Sequence, residues 1–214
     1  MEVYELGTMD FVQLIIASLL IILSLIILKK SFDSVNIYFS ITPIFFAITI
    51  FLTIIDNMIA IPSWISTVFY LIAPLGILIS AWIIKDGTNY LRVPINMVFL
   101  LFYFLYSIIS TSVEMIYVDP NSSLVDLFLD LNHVMVAVPM FFTAIYYYSF
   151  MKLVPEQKTK MVVITVGTLI IVLGLLIRAI SYFQLNQESL IGLTVILVGT
   201  FAVLYSFLFL GKTD

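Results

Sequence analysis

Seven long apolar stretches follow one another along the chain, near residues 11–28, 37–55, 65–84, 95–113, 133–151, 161–180 and 190–210. Each approaches the roughly 20 residues that carry an α-helix across the hydrocarbon core of a bilayer. With 63% apolar and only 10% charged residues, the chain lacks the roughly 25% of charged residues that an ordinary soluble surface carries. Seven spans use about 140 positions and leave the rest for tails and connections, so one membrane domain covering residues 1–214 is expected. No run alternates apolar and polar residues over segments of about 10, as a membrane barrel would. The predicted fold is an all-α integral membrane protein, a compact bundle of seven transmembrane helices. The count falls to six if one stretch re-enters.

The first stretch does not read as a cleaved signal peptide, because Glu2, Glu5 and Asp10 precede it where a signal peptide carries positive charge. Basic residues fix the threading, since Lys and Arg near helix ends stay on the cytoplasmic side. Lys29 and Lys30, Lys85 and Arg92, Lys152, Lys158 and Lys160, and Lys212 all fall on one side of a seven-span path. Arg178 lies toward the other side, with the acids Glu2, Glu5, Asp10, Asp56, Glu114, Asp119, Asp126, Asp130 and Glu188. This predicts an outside N-terminus and a cytoplasmic C-terminus; six spans would break the alternation. The expected location is the plasma membrane, with lipids as the obligatory partners.

Short loops make consecutive helices antiparallel neighbours. The longest connection, residues 115–132, contains the turn signal Asp119-Pro120-Asn121 and the N-glycosylation sequon Asn121-Ser122-Ser123. Its Leu124, Val125, Leu127, Phe128 and Leu131 allow either a short amphipathic helix or an extension of span five. Close helix contact in lipid relies on small residues. Gly167, Gly174 and Ser181 recur every seven residues in span six, as do Gly192, Gly199 and Ser206 in span seven. A seven-residue repeat keeps a seam on one side of a helix pair, so spans six and seven are expected to pack along these stripes. Pro43, Pro74 and Pro139 interrupt spans two, three and five, either opening a cavity or being absorbed by neighbouring helices.

Ionisable groups at membrane depth are costly and therefore the best functional candidates. Asp56, Glu114 and Arg178 come roughly 25 Å or more after their cytoplasmic helix ends at 1.5 Å per residue, and Asp130 and His133 open span five. All five occupy the outer third and define the expected ligand pocket, with a carboxylate from Asp56, Glu114 or Asp130 pairing Arg178. The alternative places them in the headgroup layer, solvated, with Arg178 snorkelling outward. Asp126, Asp130 and His133 share a helix face if the helix starts early enough. One imidazole and no cysteine make a weak transition-metal set, and no metal or other cofactor is expected.

Several activities are excluded. Span seven has no lysine for retinal, one histidine cannot ligate haem on both faces, and neither G-x-S-x-G nor H-E-x-x-H occurs. No enzyme activity is expected. Nine Lys and Arg against thirteen Asp and Glu argue against a nucleic-acid partner, which needs a basic patch. A transporter commonly shows internal repeats and broken helices around a midplane site, whereas prolines here fall in spans two, three and five and no charge lies at mid-depth. A structural subunit would need neither pocket nor shifting helices. A sensor or ligand-binding module needs an outward polar pocket and helices that shift between packings.

The acidic N-terminus, seven compact spans and the basic segment Lys152-Leu153-Val154-Pro155-Glu156-Gln157-Lys158-Thr159-Lys160 resemble, in topology, the seven-helix sensory modules that precede histidine kinases in prokaryotes. The resemblance implies a sensory role. The sequence given ends at Lys212-Thr213-Asp214 without a kinase, so the signal is expected to pass to a separate partner through the cytoplasmic loops.

Overall fold

In the computed structural model, residues 7–30, 34–59, 61–88, 97–116, 123–150, 155–185 and 189–210 are described. Each apolar stretch is a helix: α1 (Thr8–Lys30), α2 (Ser34–Ile59), α3 (Ser63–Thr88), α4 (Met97–Ile116), α5 (Ser123–Phe150), α6 (Lys158–Leu185) and α7 (Leu190–Phe209), with a 3-10 turn at Pro155–Gln157 before α6. No strand occurs among the described residues. The largest departure from the expected boundaries is α5, which begins ten residues early and takes the extension rather than the separate amphipathic helix. Its first turns carry Leu124, Val125 and Leu127 at spacings that continue one helix, whereas the turn signal Asp119-Pro120-Asn121 and most of the sequon lie outside the described residues.

Among the described residues, four segments are long and apolar enough to cross a membrane: Thr8–Lys29, Phe99–Ile116, Pro155–Ser181 and Leu190–Phe209. Shorter apolar helical stretches run over Ser40–Asp56 and Ser63–Ile77. Burial supports the same class. Phe102, Leu105, Ile109, Leu173, Val198 and Phe201 face outward, while Ser24, Thr42, Ser110, Glu114, Asn132 and Thr143 are buried. Water would penalise that arrangement, but lipid accepts apolar side chains outside and leaves hydrogen bonding as the reason to turn polar groups inward.

Consecutive helices run antiparallel. Ser24, late in α1, donates to the carbonyl of Ser40, early in α2; the rings of Phe45 and Phe69 pack edge-on between α2 and α3; Thr67 reaches Glu114 across α3 and α4; Phe99 meets Phe142 across α4 and α5. Val136 and Met140 join Val172 and Leu175 in one core cluster, while Tyr146 and Tyr147 join Met161 and Ile164 in another, which aligns α5 against α6. The upper end is hereafter the end where α1, α3, α5 and α7 begin.

At the α6–α7 contact, a Cβ added at Gly174 would lie 2.8 Å from the Gly192 carbonyl oxygen, and one at Gly199 would lie 2.6 Å from the Gly167 carbonyl oxygen. Backbone approaches backbone at two levels, seven residues apart on each helix. The two serines of the expected stripes behave differently. Continuing the register places Ser181 beyond the first residue of α7, Leu190, so no α7 residue faces it. Ser206 is fully buried and donates to the Val203 carbonyl at 2.6 Å. On that register it faces the level of Lys160, which is buried with its ammonium 5.0 Å from the Phe207 ring centre. The closest backbone approach is thus made by four glycines; Ser181 lies past the start of α7, while Ser206 stays buried on the same register.

Pro74 is absorbed by a neighbouring helix. Thr42 donates to the Ala73 carbonyl at 2.6 Å and accepts from the Ile77 amide at 3.1 Å, bridging the two groups that would close one helical turn beside Pro74. Thr42→Val strands both backbone groups and is expected to cost about 1–3 kcal/mol, read by denaturation in detergent. Thr49, whose hydroxyl serves only the Phe45 carbonyl of its own helix at 2.9 Å, is the control: Thr49→Val should change stability by less than about 0.5 kcal/mol.

Candidate functional site

Near the upper end the helices part around a cavity of about 220 Å³, lined from every helix except α4. Toward mid-helix the lining is mainly apolar, with Leu20, Met140, Ile171 and Ile196 beside Thr49 and Thr200; nearer the upper end stand Gln13, Thr67, Tyr70, Asn132, His133 and Arg178. Gln13 enters as an amide within the apolar run of α1 and is buried. Arg178 lies seven residues before the end of α6, about 10 Å along the axis, and is close enough to His133 for their charges to interact.

Helix spacing explains which groups meet. On α3, Ser63, Thr67 and Tyr70 follow at i, i+4 and i+7 and so share one face, with Ser63 exposed at the helix start and Thr67 buried. Tyr70 hydroxyl and His133 Nδ1 stand 2.6 Å apart, with the rings edge-on at a 5.4 Å centroid separation. On α4, Tyr103, Tyr106, Ser110 and Glu114 line one face by the same periodicity. Glu114 accepts from Thr67 at 2.8 Å and from the Asn132 amide at 3.5 Å, and the Ser63 side chain is a further partner. Asn132 in turn accepts from Ser110 at 2.8 Å and from Tyr106 at 2.9 Å. The result is a continuous polar network joining α3, α4 and α5, with Thr67 and Asn132 in the cavity wall. Tyr103, one turn deeper, is fully buried, and its hydroxyl has no hydrogen-bond partner among the described residues.

The expected pocket residues separate into three groups. His133 and Arg178 line the same cavity. Glu114 is buried, and its hydrogen-bond partners among the described residues, Thr67, Asn132 and Ser63, are all neutral. The α4 face that carries it turns toward Thr67 and Asn132, and α4 does not pack against α6 among the described residues. Asp56 is partly buried near the end of α2 and does not line the cavity. The side chains of Asp126 and Asp130 lie outside the described residues; the backbone does place positions 126, 130 and 133 on one continuous helix. Among the described residues no group of three or more His, Asp or Glu is arranged to hold a metal ion.

Neutral polar residues were the part that the charge-led reading missed. Gln13, Thr67, Tyr70, Tyr106, Ser110 and Asn132 form or frame the site, yet none is ionised at neutral pH. The available signal was their periodicity, above all the uncharged amides Gln13 and Asn132 inside or beside apolar stretches. Comparison with protein-family models, curated proteins and solved structures gave no match.

Proposed function

We propose that the chain is a seven-span membrane module that binds a small ligand in the upper cavity and passes its occupancy to a separate partner. In this reading the upper end faces outside, the N-terminus is external, the C-terminus is cytoplasmic and the membrane is the plasma membrane. The cavity is the observation that carries it: six helices contribute to one lined space, so a ligand held there can favour one packing of those helices over another by its differential contacts. The alternating helix directions and the gathering of Lys29, Lys158 and Lys160 at the lower end support the threading through the rule that basic residues remain cytoplasmic. The topological resemblance to sensory modules supports the role.

The absence of cysteine makes the threading directly testable with single introduced thiols. Thr8→Cys and Glu156→Cys, both at exposed positions, are expected to react with a membrane-impermeant maleimide from opposite faces of intact cells, Thr8→Cys from outside. Labelling of both from one face would overturn the orientation.

Ligand binding is tested by native mass spectrometry of protein extracted directly from its membrane. A small bound mass is expected on the wild type and none on Ile50→Trp, which fills the cavity from α2. Equal adducts on both proteins, or none on the wild type, would remove the cavity from the proposal. A substrate flux through reconstituted vesicles would instead make the chain a transporter.

A further inference from the structure

The deep part of the cavity narrows the ligand's chemistry, an inference that rests on reading the cavity as a ligand site. Thr49 lies ten residues before Ile59, the last residue of α2, and Thr200 lies ten residues after Leu190, the first of α7. Both therefore sit about 15 Å below the upper end, and both line the space. Among the described residues α2 and α7 each pack against α1 and not against one another, so the two threonines belong to separate walls at one depth. The apolar side chains of Ile16, Leu20, Ile50 and Leu175 line the same space at similar depth.

A hydroxyl has one hydrogen to donate and two lone pairs that accept. At both positions the hydrogen is engaged within the helix: Thr49 donates to the Phe45 carbonyl at 2.9 Å and Thr200 to the Ile196 carbonyl at 2.8 Å. Neither hydroxyl oxygen accepts a hydrogen bond from a described residue. Thr53, one turn above Thr49 on α2, is engaged in the same way with the Thr49 carbonyl at 3.0 Å. Toward an occupant these walls therefore present aliphatic groups and oxygen lone pairs that await a donor.

An occupant with no hydrogen to donate would cover those lone pairs and leave them unmatched, whereas a hydroxyl would complete a hydrogen bond there. A cation could donate as well, but moving a charge into apolar surroundings costs far more than hydroxyl oxygens recover. If an apolar cavity of about 150 Å³ holds benzene, 220 Å³ has space for about nine non-hydrogen atoms. We propose that the ligand is a small neutral alcohol with an apolar body of about six to eight carbons. Its hydroxyl donates to Thr49 or Thr200, and its body lies against Ile16, Leu20, Ile50 and Leu175.

The probes are a hexanol carrying a diazirine on its chain and the fluoride of the same chain, in which fluorine replaces the hydroxyl and the donor hydrogen is gone. Both are crosslinked by light to the protein in lipid nanodiscs. Mapping the labelled peptides gives, for each probe, cavity labelling relative to that of the lipid-facing surface, which corrects for partition into the bilayer. This ratio is expected to be about fivefold higher for the alcohol, the factor that one neutral hydrogen bond supplies. Thr49→Val combined with Thr200→Val should bring the alcohol down to the fluoride while leaving the fluoride's cavity labelling in place. Should the double variant fail to fold, unlabelled hexanol and fluorohexane competing for the wild-type cavity give the same comparison. Equal ratios for the two probes in the wild type, or a preference that survives in the double variant, would overturn the ligand class while leaving the cavity as a binding site. Labelling confined to the lipid-facing surface with both probes would overturn the ligand class and the cavity reading together.

Discussion

Replacing Gly199 by valine is expected to lower the unfolding midpoint in detergent by about 10 °C. A Cβ at this position would stand 2.6 Å from the Gly167 carbonyl oxygen and 2.9 Å from the Ile171 amide nitrogen. Both are backbone atoms of a helix, so no rotamer change relieves the contact and the two helices must separate. Overpacking usually costs 1–3 kcal/mol and occasionally more. Here the loss should lie at about 3 kcal/mol, because a gap of even 0.5–1 Å forfeits a quarter to a half of the dispersion energy of the atoms lining it. At roughly 2–4 °C per kcal/mol for a chain of this size, the shift follows. Val198→Leu, at the adjacent outward-facing position, 54% exposed, meets only the surroundings of the bundle and should leave the midpoint unchanged. A Gly199→Val protein that melts within about 2 °C of wild type would show that α6 and α7 do not approach as closely as the four glycines allow.

The second large effect belongs to Asn132. Its amide links Glu114 on α4 with Ser110 and Tyr106 lower on the same helix, so Asn132→Ala removes three hydrogen bonds at once. In membrane proteins an interhelical hydrogen bond averages only about 0.6 kcal/mol, which would give about 2 kcal/mol for the three. Stranding buried polar groups adds a desolvation penalty of about 1–3 kcal/mol for each group left unsatisfied. Glu114 is buried and has little access to replacement water, so a loss of about 3 kcal/mol is expected, measured by denaturant titration. Glu114→Gln keeps the size and an acceptor oxygen for Thr67 and should cost under about 1 kcal/mol. If Asn132→Ala proves as mild as Glu114→Gln, the amide is not the hub that the geometry makes it.

Charge was a good guide to class and a poor guide to partnership. Long apolar stretches and sorted lysines are properties of whole segments, summed over many residues, and they located all seven helices within a few residues at most ends. The early start of α5 was legible only as one of two alternatives, since Leu124, Val125 and Leu127 fit both a separate amphipathic turn and a continuous helix. His133 and Arg178 were marked by being ionisable at depth, and they do share a cavity. Glu114 was marked for the same reason, yet it serves a network of neutral hydroxyls and an amide that no count of charges reveals. The glycine stripes were legible as a period of seven, but the period did not tell that Ser181 falls beyond the reach of α7 while the four glycines set backbone against backbone.

The amino-acid sequence alone determined that this chain forms apolar helices and that the lysines among the described residues fall at one end, because each of those outcomes is decided locally by the free energy of placing a residue type in lipid or water. Only the tertiary structure decided that Thr42 mends the α3 backbone beside Pro74, that Gly192 makes room for Arg178, and that six helices leave a lined space between them. Those outcomes depend on how far each helix is rotated about its own axis. At about 100° per residue, a small rotation exchanges one neighbour for another without altering a single feature of the segment's hydropathy.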